Sequence, residues 1–274
     1  MSEENPTSVT RRSFMNASAA AVVAAMHLPL CGSAIAQASE DSSEGSALIH
    51  RLRLSSNDLD AQEPFYRDVL EFPTERPNAE TLIVTAGQSK LEFVLDSTVS
   101  KPFYHVAFTI PENRIEQSLE WMTPRSDVLE INKRGDRIMD FAHWNAHSIF
   151  YLDPVGNILE FIGHHDMKNA TSDPFNPRQV LYASEIGLVV PDVPASVAAL
   201  NTQFGYENFR GLSSNGFTAL GDTRGLLLIV REGRGWFPVN TVKADIFPVE
   251  ATVGLGTSDN TMTFDGLPYT IKHA

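Results

Sequence analysis

The stretch Asp153-Pro154-Val155-Gly156-Asn157-Ile158-Leu159-Glu160-Phe161 sets a tight turn against an apolar strand that carries a single carboxylate. Pro154 and Gly156 suit a type I turn, so the segment reads as the closing hairpin of a sheet. Glu160 is the anomaly in it. A carboxylate in a core strand is costly unless it is paired or bound to a metal. Leu91-Glu92-Phe93 repeats the same Leu-Glu-Phe pattern upstream. Read outward from these two glutamates, the chain shows a repeat of about 60 residues.

Unit one opens with the alternating strand Leu48-Ile49-His50-Arg51-Leu52-Arg53-Leu54. Asn57 and Asp58 are candidate helix caps, and Pro64 predicts a late start or a kink before Phe65, Tyr66 and Val69. Strands over Leu82 to Thr85 and Lys90 to Leu95 follow, with Gly87 at a turn. Unit two repeats the plan, beginning with the strand Tyr104-His105-Val106-Ala107-Phe108-Thr109-Ile110. Its helix starts at Pro111, carries Ile115, Leu119 and Met122 on one face, and stops at Pro124. Strands are predicted at Arg137 to Phe141, His147 to Leu152 and Ile158 to Ile162.

Residues 167–183 are polar, carry Pro and Asn, and read as a linker after a paired metal-binding domain over 46–166. A third, degenerate βαβββ-like module with a truncated tail is expected over 184–274. It starts at Glu185-Ile186-Gly187-Leu188-Val189-Val190, with Asp192 as cap and Val197, Leu200 and Phe204 on its helix. Glu185 stands where a histidine would be and Leu227-Leu228 where a glutamate would be, so no second metal site is expected there. This unit is left to packing, a lid or a homodimer contact. Trp236 and Phe237 could line a pocket, although a Gly-rich turn covering the core is the simpler expectation.

The formal net charge is −13 over 274 residues, which disfavours nucleic acid and anionic lipid as partners. No apolar stretch is long enough to span a bilayer. Thr10-Arg11-Arg12-Ser13-Phe14-Met15, the apolar run Ala17 to Leu30, and Ala34, Ala36 and Ala38 together resemble a twin-arginine signal peptide over residues 1–38. That predicts use of the twin-arginine export machinery and a periplasmic or otherwise exported bacterial protein. Cys31, the only cysteine, lies inside this leader, so thiolate chemistry and disulfides are excluded from the mature chain.

His50 and His105 occupy the first strand of units one and two, and Glu92 and Glu160 the last. Two imidazoles and two carboxylates make a mixed N/O set for one divalent metal ion, with Zn, Ni, Mn, Co or Fe all admissible. The His-bearing strand, the helix end Phe65-Tyr66-Arg67-Asp68-Val69-Leu70-Glu71-Phe72 and the hairpin quoted first resemble the vicinal oxygen chelate superfamily of glyoxalases, ring-cleaving dioxygenases, epimerases and antibiotic-binding proteins. The resemblance implies an α+β fold of tandem βαβββ modules whose curved, barrel-like sheets enclose a metal held by His50, Glu92, His105 and Glu160.

It further implies an exported metal-dependent enzyme, of glyoxalase, isomerase or lyase style, acting on a small-molecule substrate whose adjacent oxygens chelate the ion. Glu92 or Glu160 would then be the catalytic proton shuttle. The alternatives are an extradiol ring-cleaving dioxygenase using His50, His105 and Glu160, and a non-catalytic small-molecule-binding protein. His143, His147, His164 and His165 surround the last hairpin of unit two, and one of them could serve as a base beside the metal.

Overall fold

The computed structural model describes residues 47–254 and 260–273; the leader falls outside the described residues. Module one contains β1 (Leu48–Ser56), helix α1 (Leu59–Pro64) continued by a π-helical turn (Phe65–Val69), β2 (Thr74–Asn78), β3 (Thr81–Ala86) and β4 (Ser89–Leu95). The Asp58 side chain caps α1 by accepting from the Ala61 amide, and the change of helical type falls at Pro64, where proline removes a backbone donor.

Module two contains β5 (His105–Thr109), α2 (Ile115–Met122), β6 (Met139–Phe141), β7 (Ala146–Leu152) and β8 (Ile158–His164). Module three contains β9 (Tyr182–Val190), α3 (Val193–Phe204), β10 (Asn208–Ser213), β11 (Phe217–Asp222) and β12 (Gly225–Arg231). The tail forms a fourth module, a set of strands β13 (Val249–Gly254), β14 (Asn260–Thr263) and β15 (Tyr269–His273), with no helix among its described residues.

The α+β fold of repeated modules is as expected, but the partnership of the modules is not. One seven-stranded sheet runs β14-β15-β13-β1-β4-β3-β2, joining module four to module one. An eight-stranded sheet runs β10-β11-β12-β9-β5-β8-β7-β6, joining module three to module two. Modules one and two, expected to be paired, therefore do not share a sheet, and their first strands pair as β1 with β13 and β5 with β9. Hydrophobic alternation specifies each module, but says nothing about which first strand meets which. One feature consistent with the observed choice is Arg53 directly opposite Glu250, a favourable cross-strand charge pair.

Successive residues of the eight-stranded sheet point to opposite faces. Val106, Phe108, Leu159, Phe161, Ile186 and Leu188 join the main core with residues of the other sheet and of all three helices. The opposite face carries Ala107, Ile158, Ile162, Leu226 and Leu228, and forms a second apolar cluster with Trp144, Phe209 and Trp236. The segment between β12 and β13 supplies Trp236 and Ala244 to that cluster and thereby covers the face.

Polar links tie the two sheets together. The Ser89 hydroxyl donates to the Ile49 carbonyl and accepts from the Ala183 amide at 2.9 Å. Gly87 has φ +57, and a side chain there would run into the backbone at Leu181. The stretch expected as a linker is packed: Phe175 and Val180 are buried, and the Leu181 amide donates to Thr109. Among the described residues no helix is long and apolar enough to cross a membrane.

Candidate metal centre

Three buried side chains meet on the covered face of the eight-stranded sheet. His105 lies on β5, Glu160 on β8 and Glu185 on β9, and a ligand atom from each lies within 4.8 Å of the others. The His105 Nε2 is 3.4 Å from Glu160 Oε2 and 3.7 Å from Glu185 Oε2. Its Nδ1 sits 3.2 Å from the Ile158 carbonyl, which can only accept, so Nδ1 carries a proton and Nε2 is the atom turned toward the carboxylates.

Neither carboxylate is satisfied by protein. Glu160 Oε1 and Glu185 Oε1 are buried without a hydrogen-bond partner. Burial, and then the charge of Glu185, push the Glu160 carboxyl well above the usual carboxylate range. Two buried acids with orphaned oxygens and one imidazole match the donor set and the charge requirement of a divalent cation. The residues present fit such an ion.

Two of the four ligand positions expected from sequence, His105 and Glu160, belong to this group. The other two do not, because His50 and Glu92 lie in the other sheet. Strand register shows why. Glu160 pairs with Ala107, two residues beyond His105, while Glu92 pairs with Arg53, two residues beyond Arg51. The position matching His105 is therefore Arg51, and His50 is one residue out of step. His50 is the extra residue of a β-bulge, since Ile49 pairs with Val253 and Arg51 already with Thr252. It is exposed, with its ring over Gly254.

The same register completes the comparison of the two sheets. Ala107 faces Glu185 across the module boundary as Arg53 faces Glu250, and Leu228 is placed on β12 as Lys272 is on β15. The eight-stranded sheet thus presents His105, Glu160, Glu185 and Leu228. The seven-stranded sheet presents Arg51, Glu92, Glu250 and Lys272 at the matching places. There the charges neutralise one another: Glu92 pairs with Arg51 and, at 3.2 Å, with Arg53, while Lys272 reaches Glu250 at 3.6 Å. The guanidinium groups supply the positive charge that Glu92 needs, so its place in a core strand requires no ion.

Glu185 is hidden in the sequence because the repeat sets a histidine at its position, so it reads as a lost ligand. A lone carboxylate within Tyr182-Ala183-Ser184-Glu185-Ile186-Gly187-Leu188, a strand buried along its whole length, carries the same signal as Glu160. A cavity of about 250 Å³ opens over the three residues, walled by Phe141, Trp144, Phe217, Leu228, Trp236 and Arg234. Trp236 lies at 5.5 Å from the His105 ring, and Gly187 makes room for it, since a Cβ there would fall 2.5 Å from the indole.

The other histidines of module two lie outside this group. His164 is buried on β8 against Phe209, whereas His143 reaches the Arg210 carbonyl at the surface. His147 and His165 form a half-exposed chain, 2.7 Å apart, that ends on Glu112 at 3.1 Å.

The fold is that of the vicinal oxygen chelate superfamily. A candidate dioxygenase from Bacillus subtilis superposes over 84% of this chain and 86% of its own, with TM-score 0.52 and 12% identity. A glyoxalase I point variant from Zea mays superposes over 83% of this chain and 94% of its own, with TM-score 0.50 and 12% identity. No family model matches the chain, and no curated protein matches it in sequence.

Proposed function

We propose that the protein is a metal-dependent enzyme that activates a small molecule by bidentate chelation of two adjacent substrate oxygens. The observation that carries this reading is the buried His105, Glu160 and Glu185 group with its unpartnered carboxylate oxygens. A divalent ion bound there would supply Lewis-acid stabilisation of a developing oxyanion. Leu228 offers no donor at the fourth position, which leaves coordination space for a substrate. His105 is oriented by the Ile158 carbonyl, and Glu160, whose burial favours a retained proton, or Glu185 can pass a proton to or from the bound molecule.

The choice between enzyme styles shifts with the site. A four-donor glyoxalase-like centre needed Glu92, which is occupied by two arginines. Three donors beneath a cavity walled by Phe141, Trp144 and Trp236 support a planar vicinal diol, and hence the ring-cleaving dioxygenase alternative. The donor set differs from the one the resemblance implied for such enzymes, with one histidine and two glutamates in place of two histidines and one glutamate.

Elemental analysis after purification should find about one divalent ion per chain, bound by mixed N/O donors. Glu185→Ala should lose most of it, and His50→Ala should keep it. The reverse pattern would return the centre to the first module, and metal-free protein throughout would leave the non-catalytic binding alternative.

We also propose export through the twin-arginine route, supported by Arg11, Arg12 and the apolar run that follows them. Replacing both arginines by lysine should leave the protein in the cytoplasm with its leader attached. Normal processing of that variant would assign export to another route.

A further inference from the structure

Among the described residues, Arg234 is a half-buried cation without an anion. Its guanidinium lies 5.2 Å from the ring centroid of Phe217, another wall of the cavity over the metal centre. The one hydrogen bond its side chain makes among the described residues is a long contact to the Gly235 carbonyl at 3.5 Å. Among the described residues no carboxylate comes within ion-pair distance of it, although the chain carries 34 acidic residues against 21 Lys and Arg. The other described arginines near the two sheets' matching positions, Arg51 and Arg53, are both paired to Glu92.

Burial costs an arginine hydration that only a charge partner restores, and Arg234 feels that cost, since burial lowers its pKa. The remaining walls are Phe141, Trp144, Leu212, Phe217, Leu228 and Trp236, with the His105, Glu160 and Glu185 group also bordering the cavity. At about 250 Å³ the space is below the usual range of roughly 300 to 1,000 Å³ for drug-sized ligands, which limits the occupant to about one ring with substituents.

We infer that the substrate is a single-ring aromatic vicinal diol that also carries an anionic group, and that Arg234 is the residue that selects for that group. The inference rests on the chelation reading above and adds to it the third recognition element. Two oxygens go to the metal centre, the ring packs between the indoles and phenyls, and a carboxylate pairs with the guanidinium. Arg suits this role because its planar fork accepts a carboxylate with two parallel hydrogen bonds.

The test uses zinc-loaded protein without oxygen, so that ligands bind and are not consumed. Dissociation constants are measured by calorimetry for 3,4-dihydroxybenzoate and for catechol, which lacks the carboxylate. Wild type should prefer 3,4-dihydroxybenzoate by ~10-fold or more, the range for a charge-assisted hydrogen-bonded pair. Arg234→Gln should bring the two constants together with zinc content unchanged. Equal affinities in wild type, or a preference that survives Arg234→Gln, would overturn the assignment of Arg234 while the chelation reading stands. Zinc-loaded protein that binds neither compound would overturn both, and a normal zinc content in that case would place the failure in substrate recognition.

Discussion

Metal-free protein should carry a stability penalty that grows as pH rises above about 4.5, the ordinary value for a glutamate, and saturates beyond the folded-state value of Glu160. Burial and the neighbouring Glu185 raise the Glu160 pKa, so between the two values the folded chain holds a proton that the unfolded chain has released. The slope of stability with pH from this group is therefore negative. It opposes the ordinary carboxylates: Asp68, Asp96, Asp136 and Asp166 have lowered values and stabilise the fold as pH rises through the acid range. Comparison with Glu160→Gln isolates the buried group, because an amide does not ionise there.

The gap between variant and wild type should widen in favour of the variant as pH is raised in the absence of metal. Adding zinc at 100 times its dissociation constant should then stabilise wild type by about 2.7 kcal/mol, or roughly 5 to 10 °C in melting temperature. Glu160→Gln should gain far less. A gap that does not change with pH, together with equal zinc responses, would show that Glu160 is neither strained nor a ligand.

A second large effect is expected at Asp153, in the turn between β7 and β8. Its carboxylate accepts from the Val155 and Asn157 amides and from the Asn157 side chain at 2.7 Å. It also accepts from Gln62 at 2.9 Å and the Tyr66 hydroxyl at 3.2 Å, both in the helical segment of module one. Asn157 in turn accepts from the Tyr104 amide. The hairpin of module two is thereby fastened to the helix of module one, which shares no sheet with it.

Asp153→Ala would leave these donors buried without an acceptor, at a cost of about 3 kcal/mol or more. The melting temperature should fall by roughly 6 to 12 °C, while zinc content per folded chain stays unchanged. A loss below about 1 kcal/mol would mean that water reaches the turn and replaces the carboxylate. The motif that carries the family resemblance is thus a fastening as well as a turn, while near its end Glu160 joins the candidate centre and the Ile158 carbonyl orients His105.

Much of the fold was legible in the sequence because it depends on local patterns. Alternating apolar residues set the strands, Asp58 and Asp192 cap helices through their own side chains, and Pro64 marks the change in helical type. The anomalous carboxylates were legible too, since Leu159-Glu160-Phe161 places a charge where the pattern demands an apolar residue. That signal says a charge needs a partner, and it does not say which. For Glu160 the answer is a cluster with His105 and Glu185; for Glu92 it is a pair of arginines two positions apart on the adjacent strand.

Tertiary structure decided the rest through two features that have no local signature. The bulge at His50 shifts the face of β1 by one residue, so counting along an alternating strand puts a histidine where the register puts Arg51. The pairing of β5 with β9, instead of β1 with β5, brings Glu185 to the centre from a module that the sequence set aside. The cavity depends on a further long-range event, the return of the segment between β12 and β13 over the sheet with Trp236 and Arg234. Each is a choice among strand edges and chain paths that local propensity leaves equivalent. Only the summed burial and charge pairing of the whole chain separates them.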